Sequence, residues 1–118
     1  MNNHLILNLK VSILIPVRNG EQFLKECLDS IVGQTYANWE LIIVNDNSLD
    51  STEDILKEYQ SQDSRISYYT AKGKGIIDAL KMAYSNSSGE LITRMDADDI
   101  MIANKIELLV QKLQERGK

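Results

Sequence analysis

Glu90-Leu91-Ile92-Thr93-Arg94-Met95-Asp96-Ala97-Asp98-Asp99 is the stretch on which the fold turns. Its first four residues read as a short buried strand. Three carboxylates then arrive within four residues, where the strand should end and the chain should turn. In open parallel α/β sheets, ligands sit outside the carboxyl ends of the strands. Asp96 and Asp98 are two apart, so an extended or turning backbone lets their side chains converge on one point. Hard divalent cations take such oxygen ligands, and Mg²⁺ is usually held by one or two carboxylates plus substrate phosphates. The stretch predicts a metal–diphosphate site. The competing reading is that aspartates after a strand are turn formers and helix caps.

Three further strand-then-polar units precede it. Val11-Ser12-Ile13-Leu14-Ile15 is an apolar, partly β-branched run read as a strand buried on both faces, ended by Pro16, with turn chemistry at Arg18-Asn19-Gly20. A helix is predicted from Glu21 to about Gly33, with Phe23, Leu24, Cys27, Leu28 and Ile31 on one face. Cys27 lies on that stripe and reads as core, since a free cysteine packs like a small hydrophobe. Trp39 to Val44 is a second strand running into Asn45-Asp46-Asn47-Ser48, and Ser48 or Asp50 is placed to cap the helix that follows. Arg65 to Thr70 is a third, weaker strand suited to a sheet edge. It is followed by the basic turn Lys72-Gly73-Lys74-Gly75 and a helix from Ile76 to about Asn86 expected to bury Ile77, Leu80, Ala83 and Tyr84. After the acidic stretch, Ile106, Leu109, Val110 and Leu113 mark one face of a last helix from about Ala103 to Glu115.

The order is βαβαβαβα, a Rossmann-like α/β domain with a four-stranded parallel sheet and right-handed crossovers. Residues 1–10 form a lead-in in which His4 reads as a solvated tail residue, and 11–118 form one domain. The polar clusters at Pro16–Gly20, Asn45–Ser48, Lys72–Gly75 and Asp96–Asp99 all follow strands, so they should meet along one sheet edge. Acids, an amide-rich loop and two lysines on one edge suit a phosphorylated ligand with a metal.

Composition bounds the partners. The 118 residues carry a net charge of −4, with 43% hydrophobic and 25% charged residues, the mix of a soluble globular chain. That charge argues against nucleic acid as a partner, because phosphate backbones select basic faces. No apolar run reaches transmembrane length, the start lacks the features of a signal peptide, and one cysteine allows no internal disulfide. These point to a cytoplasmic protein.

Several stretches together carry a family resemblance. Ser12-Ile13-Leu14-Ile15-Pro16-Val17-Arg18-Asn19-Gly20-Glu21 resembles the opening of the inverting family-two glycosyltransferases with the GT-A fold. Trp39 to Ser48 resembles their second-strand motif, and Ser88-Gly89-Glu90-Leu91-Ile92 with Arg94 to Asp99 resembles the approach to and core of their DXD motif. The resemblance implies that Pro16, Val17 and Arg18 line the nucleobase and ribose pocket and that Asp46 hydrogen-bonds the base, typically uracil. It implies that Asp96 and Asp98 form the metal-binding pair, with Asp98 coordinating Mn²⁺ or Mg²⁺ at the diphosphate and Asp96 near the ribose or sugar, and it sets Lys72 or Lys74 near the nucleotide. Asp99 neighbours this pair without an assigned part. A nucleotide-sugar donor, UDP-linked, and a cell-envelope or polysaccharide acceptor are the implied substrates.

This sequence departs from the family pattern at Arg18, where Tyr is frequent, at Asn45, where a first Asp is frequent, at Lys72-Gly73-Lys74, and at Ala103, where a proline often starts the helix. The larger departure is length. The family's acceptor half and its catalytic base, which deprotonates the attacking hydroxyl, lie further along the chain, so the base is expected beyond Lys118 and no residue of this sequence matches it. The expectation is therefore a truncated, nucleotide-sugar-binding half that does not transfer sugar alone, with an open sheet edge available for homodimerisation. Peripheral association of the full-length protein with the inner face of the membrane goes with the family's lipid-linked acceptors. The alternative is a non-catalytic nucleotide- or Mg²⁺-binding α/β module such as a phospho-acceptor receiver domain. That class wants its acids after the first and third strands, where this sequence has Pro16-Val17-Arg18-Asn19 and Thr70-Ala71-Lys72.

Overall fold

A computed structural model describes residues 8–116. The lead-in residues 1–7, including His4, lie outside the described residues, and so does Lys118 at the other end. The elements are β1 (Val11–Val17), α1 (Leu24–Val32), β2 (Trp39–Asn45), α2 (Thr52–Gln62), β3 (Ile66–Thr70), α3 (Ile76–Ser85), β4 (Leu91–Arg94) and α4 (Lys105–Arg116). The four strands are parallel in the order β3-β2-β1-β4. The predicted architecture is therefore the observed one, with β3 at an edge.

Strand alternation divides the core. Val11, Ile13, Ile15, Leu41, Ile43 and Ile66 face α1, α2 and α4, which contribute Leu24, Cys27, Leu28, Ile31, Ile55, Leu56, Ile106 and Val110. Leu14, Ile42 and Val44 face the other way and meet α3 alone. Right-handed crossovers account for this. The chain steps outward from β1 to β3 with its helices on one face, then returns across the sheet to β4 with α3 on the opposite face.

Several elements differ from the sequence expectation, each for a physical reason. Pro16 does not end β1, which continues to Val17. Leu14 O accepts Met95 N–H on the β4 side and Val17 O accepts Asp46 N–H on the β2 side. By alternation Pro16 faces β4, beyond the last pair, Leu14↔Arg94, where no ladder donor is required. β4 is not a buried strand but a half-exposed edge strand. α3 buries Ala79 and Ala83, with Leu80 half-buried, while Ile77 and Tyr84 are 66% and 62% exposed. Small residues let the helix approach the sheet closely, and its larger apolar residues point away. In α4, Ile106 and Val110 are buried but Leu113 is exposed, because among the described residues β4 has no neighbour on its outer side for that end of the helix to cover.

Residues 8–10 are tied to the body. Tyr36 Oη donates to Leu9 O and Asn38 Nδ2 to Asn8 O. Lys10 Nζ pairs with Glu40 at 3.3 Å. That pair joins a clasp at the amino ends of the strands, in which buried Ser12 Oγ donates to Glu40 Oε2 at 2.6 Å and accepts Gly89 N–H at 2.7 Å. Among the described residues, no helix is long and apolar enough to cross a membrane.

Candidate functional site

The acidic stretch is set by alternation. Met95 and Ala97 are buried, so Asp96 and Asp98 turn outward, and Asp99 is exposed beside them. Three backbone contacts fix the segment. Met95 N–H donates to Leu14 O at 3.0 Å, Asp99 N–H donates to Asp96 O at 3.0 Å, and the Cys27 thiol points at Asp96 O at 3.8 Å. One carboxylate oxygen from each of Asp96, Asp98 and Asp99 falls within 4.8 Å of the others. These are hard oxygen donors of the kind Mg²⁺ and Mn²⁺ take. Ligands at about 2.0–2.1 Å from one ion sit closer together than that, a difference a small rotation of exposed side chains closes. The residues thus fit a divalent cation. Arg94 Nη2 lies 3.1 Å from Asp96 Oδ1, an exposed pair. Burial, followed by the charges of Asp99 and Asp98, pushes the Cys27 thiol up to about 12. It is therefore protonated near neutrality and serves as the core residue expected.

Beside the acids is a cleft of about 160 Å³ lined by Pro16, Val17, Arg18, Asp46, Ile76, Asp96 and Ala97. Its walls come from the carboxyl ends of β1, β2 and β4. In the order β3-β2-β1-β4 the chain runs from β1 to β2 on one side and arrives at β4 on the other, so the carboxyl ends of β1 and β4 flank the topological switch point where such sheets open a crevice. Asp46 is 8% exposed. Its Oδ2 accepts Gly75 N–H at 3.2 Å, and Asn47 Nδ2 lies 3.4 Å from its Oδ1.

The loops around the cleft are knitted to each other. Asn19 N–H donates to Ser48 Oγ at 2.9 Å and Asn19 Oδ1 accepts Leu49 N–H at 2.8 Å. Asn19 and Asn47 both adopt left-handed backbone, φ 51° and 55°, which asparagine tolerates better than most residues. Ser48 is therefore engaged by Asn19 and does not cap α2. Neither does Asp50: its Oδ1 accepts Thr52 N–H at 2.9 Å in a turn just before the helix, and Ser51, at the N-cap, makes no side-chain capping bond.

Of the residues singled out from sequence, Pro16, Val17, Arg18, Asp46 and Asp96 share the cleft, and Asp98 joins Asp96 in the carboxylate cluster. Asp96 belongs to both. Lys72 and Lys74 do not line the cleft. They are exposed on the loop whose Gly75 reaches Asp46. The expectation of a catalytic base beyond Lys118 falls outside the described residues, which end at residue 116. Ile76 was not foreseen, and Ala97, Asn47 and Gly75 lay inside clusters expected to converge without being singled out themselves. The signal for Ile76 was its position directly after a glycine turn at a helix start. For Ala97 it was the small residue between two outward aspartates.

Comparison with known proteins was made against this geometry. The family model described as Glycosyl transferase family 2 matches residues 12–118. Glycosyltransferase GlyA of Streptococcus pneumoniae serotype 4 is 37% identical over 111 residues, covering 94% of this chain and 16% of that protein. The UDP-Glc:alpha-D-GlcNAc-diphosphoundecaprenol beta-1,3-glucosyltransferase WfgD of Escherichia coli is 39% identical over 104 residues, covering 87% of this chain and 40% of that protein. The chain thus spans well under half the length of these relatives. Among solved structures, S. aureus TarS 1–349 in complex with UDP has a TM-score of 0.85 at 22% identity, covering 92% of this chain and 33% of that one. The mannosyltransferase PcManGT from Pyrobaculum calidifontis, in complex with GDP-Man and Mn²⁺, has a TM-score of 0.77 at 23% identity, covering 88% and 31%. These two likenesses speak to the fold, which is the GT-A glycosyltransferase fold.

Proposed function

The chain belongs to glycosyl transferase family 2, and from that premise we propose that its cleft binds the nucleoside diphosphate part of a sugar donor, UDP-linked. The observation that carries this reading is Asp96, which lines the cleft holding Asp46 and Arg18 and also stands in the carboxylate cluster with Asp98 and Asp99. A nucleoside and its diphosphate would lie across that shared residue. At about 160 Å³ the cleft is smaller than the 300–1,000 Å³ of a full drug-sized site, which suits a nucleoside with the rest of the donor leading outward over the acids.

In this proposal Pro16, Val17 and Ile76 give the base apolar walls. The Asp46 carboxylate accepts an N–H from its edge, which favours uracil with its N3–H. Arg18 offers its guanidinium to ribose or phosphate, and Lys72 and Lys74 supply positive charge at the rim. Asp98 and Asp96 would hold Mn²⁺ or Mg²⁺, which when bound offsets charge on the diphosphate as it leaves. Inverting displacement requires a general base within reach of the acceptor hydroxyl. We assign that base and the acceptor site to sequence beyond Lys118, so that this chain alone binds donor without transferring sugar. We extend the proposal to a cell-envelope or polysaccharide acceptor, which the diphosphoundecaprenol acceptor in one relative's name supports, and to peripheral work of the whole protein at the inner membrane face. Pairing of two copies through the β4 edge is the accompanying proposal on assembly.

The test is calorimetric titration of UDP into the chain with and without Mn²⁺, repeated on Asp98→Ala. Metal-dependent binding that the substitution abolishes is expected. Equal binding of UDP by both proteins with and without metal would sink the assignment of the acids. Binding of GDP or TDP in preference to UDP would overturn the choice of nucleotide.

A further inference from the structure

The Lys72–Gly75 loop is held from both sides, by the end of β2 with its following loop and by α3. Ala71 N–H donates to Asn45 O at 2.9 Å, Asn47 Nδ2 reaches Gly73 O at 3.4 Å, and Gly75 N–H reaches Asp46 Oδ2 at 3.2 Å. A fourth contact comes from the first turn of α3, where Asp78 Oδ2 accepts Lys74 N–H at 3.3 Å. Around this contact the loop is packed tightly. A Cβ added to Gly73 would collide with Asp78 Oδ2 and lie 2.9 Å from its Cγ, so glycine is what admits the carboxylate there. Gly75 has φ +90° with open space where a Cβ would stand, so its requirement is conformational and not steric. It delivers its N–H to Asp46 and starts α3, with Ile76 turned into the cleft wall.

We propose that Asp78 is a positioning residue for the nucleoside pocket. It does not line the cleft. It holds the loop in the conformation from which Gly75 engages Asp46 and Ile76 walls the base. The consequence is for the shape of Asp46's acceptor face. With Oδ2 engaged by Gly75, Oδ1 is the oxygen left to accept from a ligand, carrying among the described residues the long Asn47 contact. This inference rests on the reading of the cleft as a nucleotide site.

Removing one of four contacts lets the loop leave this conformation for part of the time, and apparent affinity falls by the fraction of chains still competent. For one long, exposed hydrogen bond to a carboxylate the loss reaches at most about fivefold, where the remaining contacts leave the loop conformation marginal. The experiment titrates uridine and UDP into wild type, Asp78→Ala, Asp78→Asn and Gly73→Ala. Amide exchange at Lys74 and Gly75 and thermal midpoints are recorded alongside. Asp78→Ala and Gly73→Ala should weaken uridine and UDP equally, by up to about fivefold, and speed exchange at both amides. Asp78→Asn, which keeps an acceptor, should stay within about twofold of wild type. Unchanged affinity in Asp78→Ala overturns the assignment, as does a lower thermal midpoint with affinity intact, which is the mark of a purely structural residue. A loss for UDP but not uridine also overturns it, assigning the effect to the lysines and the diphosphate. A folded wild type that binds no nucleoside diphosphate overturns the donor reading, and this assignment with it.

Discussion

Ser12→Ala tests how β4, and so the acidic stretch it carries, is held to β1. Ser12 is fully buried, and its hydroxyl makes two contacts, a 2.6 Å bond to the Glu40 carboxylate and a 2.7 Å bond from Gly89 N–H, one residue before the Glu90 amide that itself donates to Lys10 O. Alanine removes a hydrogen bond to a charged group, worth about 1.5–3 kcal/mol, and leaves the Gly89 amide without its acceptor, at about 1–3 kcal/mol. Glu40 keeps Ser88 and Lys10, so the two losses do not add fully, and about 2–4 kcal/mol is expected. Against a total of about 5–15 kcal/mol, that moves a urea midpoint by about 1–2 M. Urea denaturation followed by Trp39 fluorescence reads it directly. A loss under about 0.5 kcal/mol would refute the reasoning, because it would mean that the amide and carboxylate find water as readily as they find Ser12.

The same clasp has a pH signature. Burial by itself would raise the pKa of Glu40, but hydrogen bonds from Ser12, Ser88 and Lys10 together outweigh it and hold the carboxyl below 4.5. A carboxyl whose folded value is lowered stabilises fully above its unfolded value, and that stabilisation disappears as pH falls through the folded value. Wild type should therefore lose stability below pH 4.5 more steeply than Glu40→Gln, and equal slopes would refute the clasp.

Three further outcomes are expected. Gln34→Leu should cost about 1–3 kcal/mol in urea denaturation, since Gln34 Oε1 accepts Ile106 N–H at the start of α4 and its Nε2 donates to Ile102 O at 2.6 Å. A stability equal to wild type would show that α4 does not depend on this bridge from α1. Cys27, buried and with its thiol pushed up to about 12, should resist alkylation at about pH 8 in the folded chain and label at the ordinary thiol rate in urea. Rapid stoichiometric labelling of the native chain would contradict its burial. Mn²⁺ or Mg²⁺ should raise the thermal midpoint, by about 2.7 kcal/mol of stability at a hundredfold excess over Kd. The gain should vanish in Asp98→Ala, and a shift that survives there would place the ion elsewhere.

The order of elements and the parallel sheet were legible because each strand is a short apolar run and each helix an interrupted one. The meeting of the polar clusters followed from topology alone. What misled were choices that depend on a neighbour. Whether Pro16 ends a strand depends on which side its missing N–H faces and how far the partner strand extends. In α3, Ile76, Ile77, Ala79, Leu80, Ala83 and Tyr84 leave little polar contrast around the helix, so its buried face could not be phased from pattern. Size then suggested Ile77 and Tyr84, whereas close packing on Leu14, Ile42 and Val44 selected the alanines. At the site, Asp96 and Asp98 announced themselves by type and spacing, while Asp46 was singled out by the family resemblance. The closing of the Lys72–Gly75 loop over Asp46 left no trace, because backbone N–H donors are carried by every residue but proline.

The placement of β4 against β1 also bears on the order in which this molecule takes shape. Val11 pairs with Trp39 on one side, 28 positions away, and with Leu91 on the other, 80 positions away. Closing the longer span costs about 0.9 kcal/mol more in chain entropy, and it must wait until Leu91–Arg94 has been synthesised. The three-stranded β3-β2-β1 unit can assemble first, leaving the flank of β1 exposed until Leu91–Arg94 arrives. The aspartates that follow β4 are thus brought beside Pro16–Arg18 and Asp46 by the last pairing among the described strands, and a nascent chain has most of its hydrophobic core before it has this cleft.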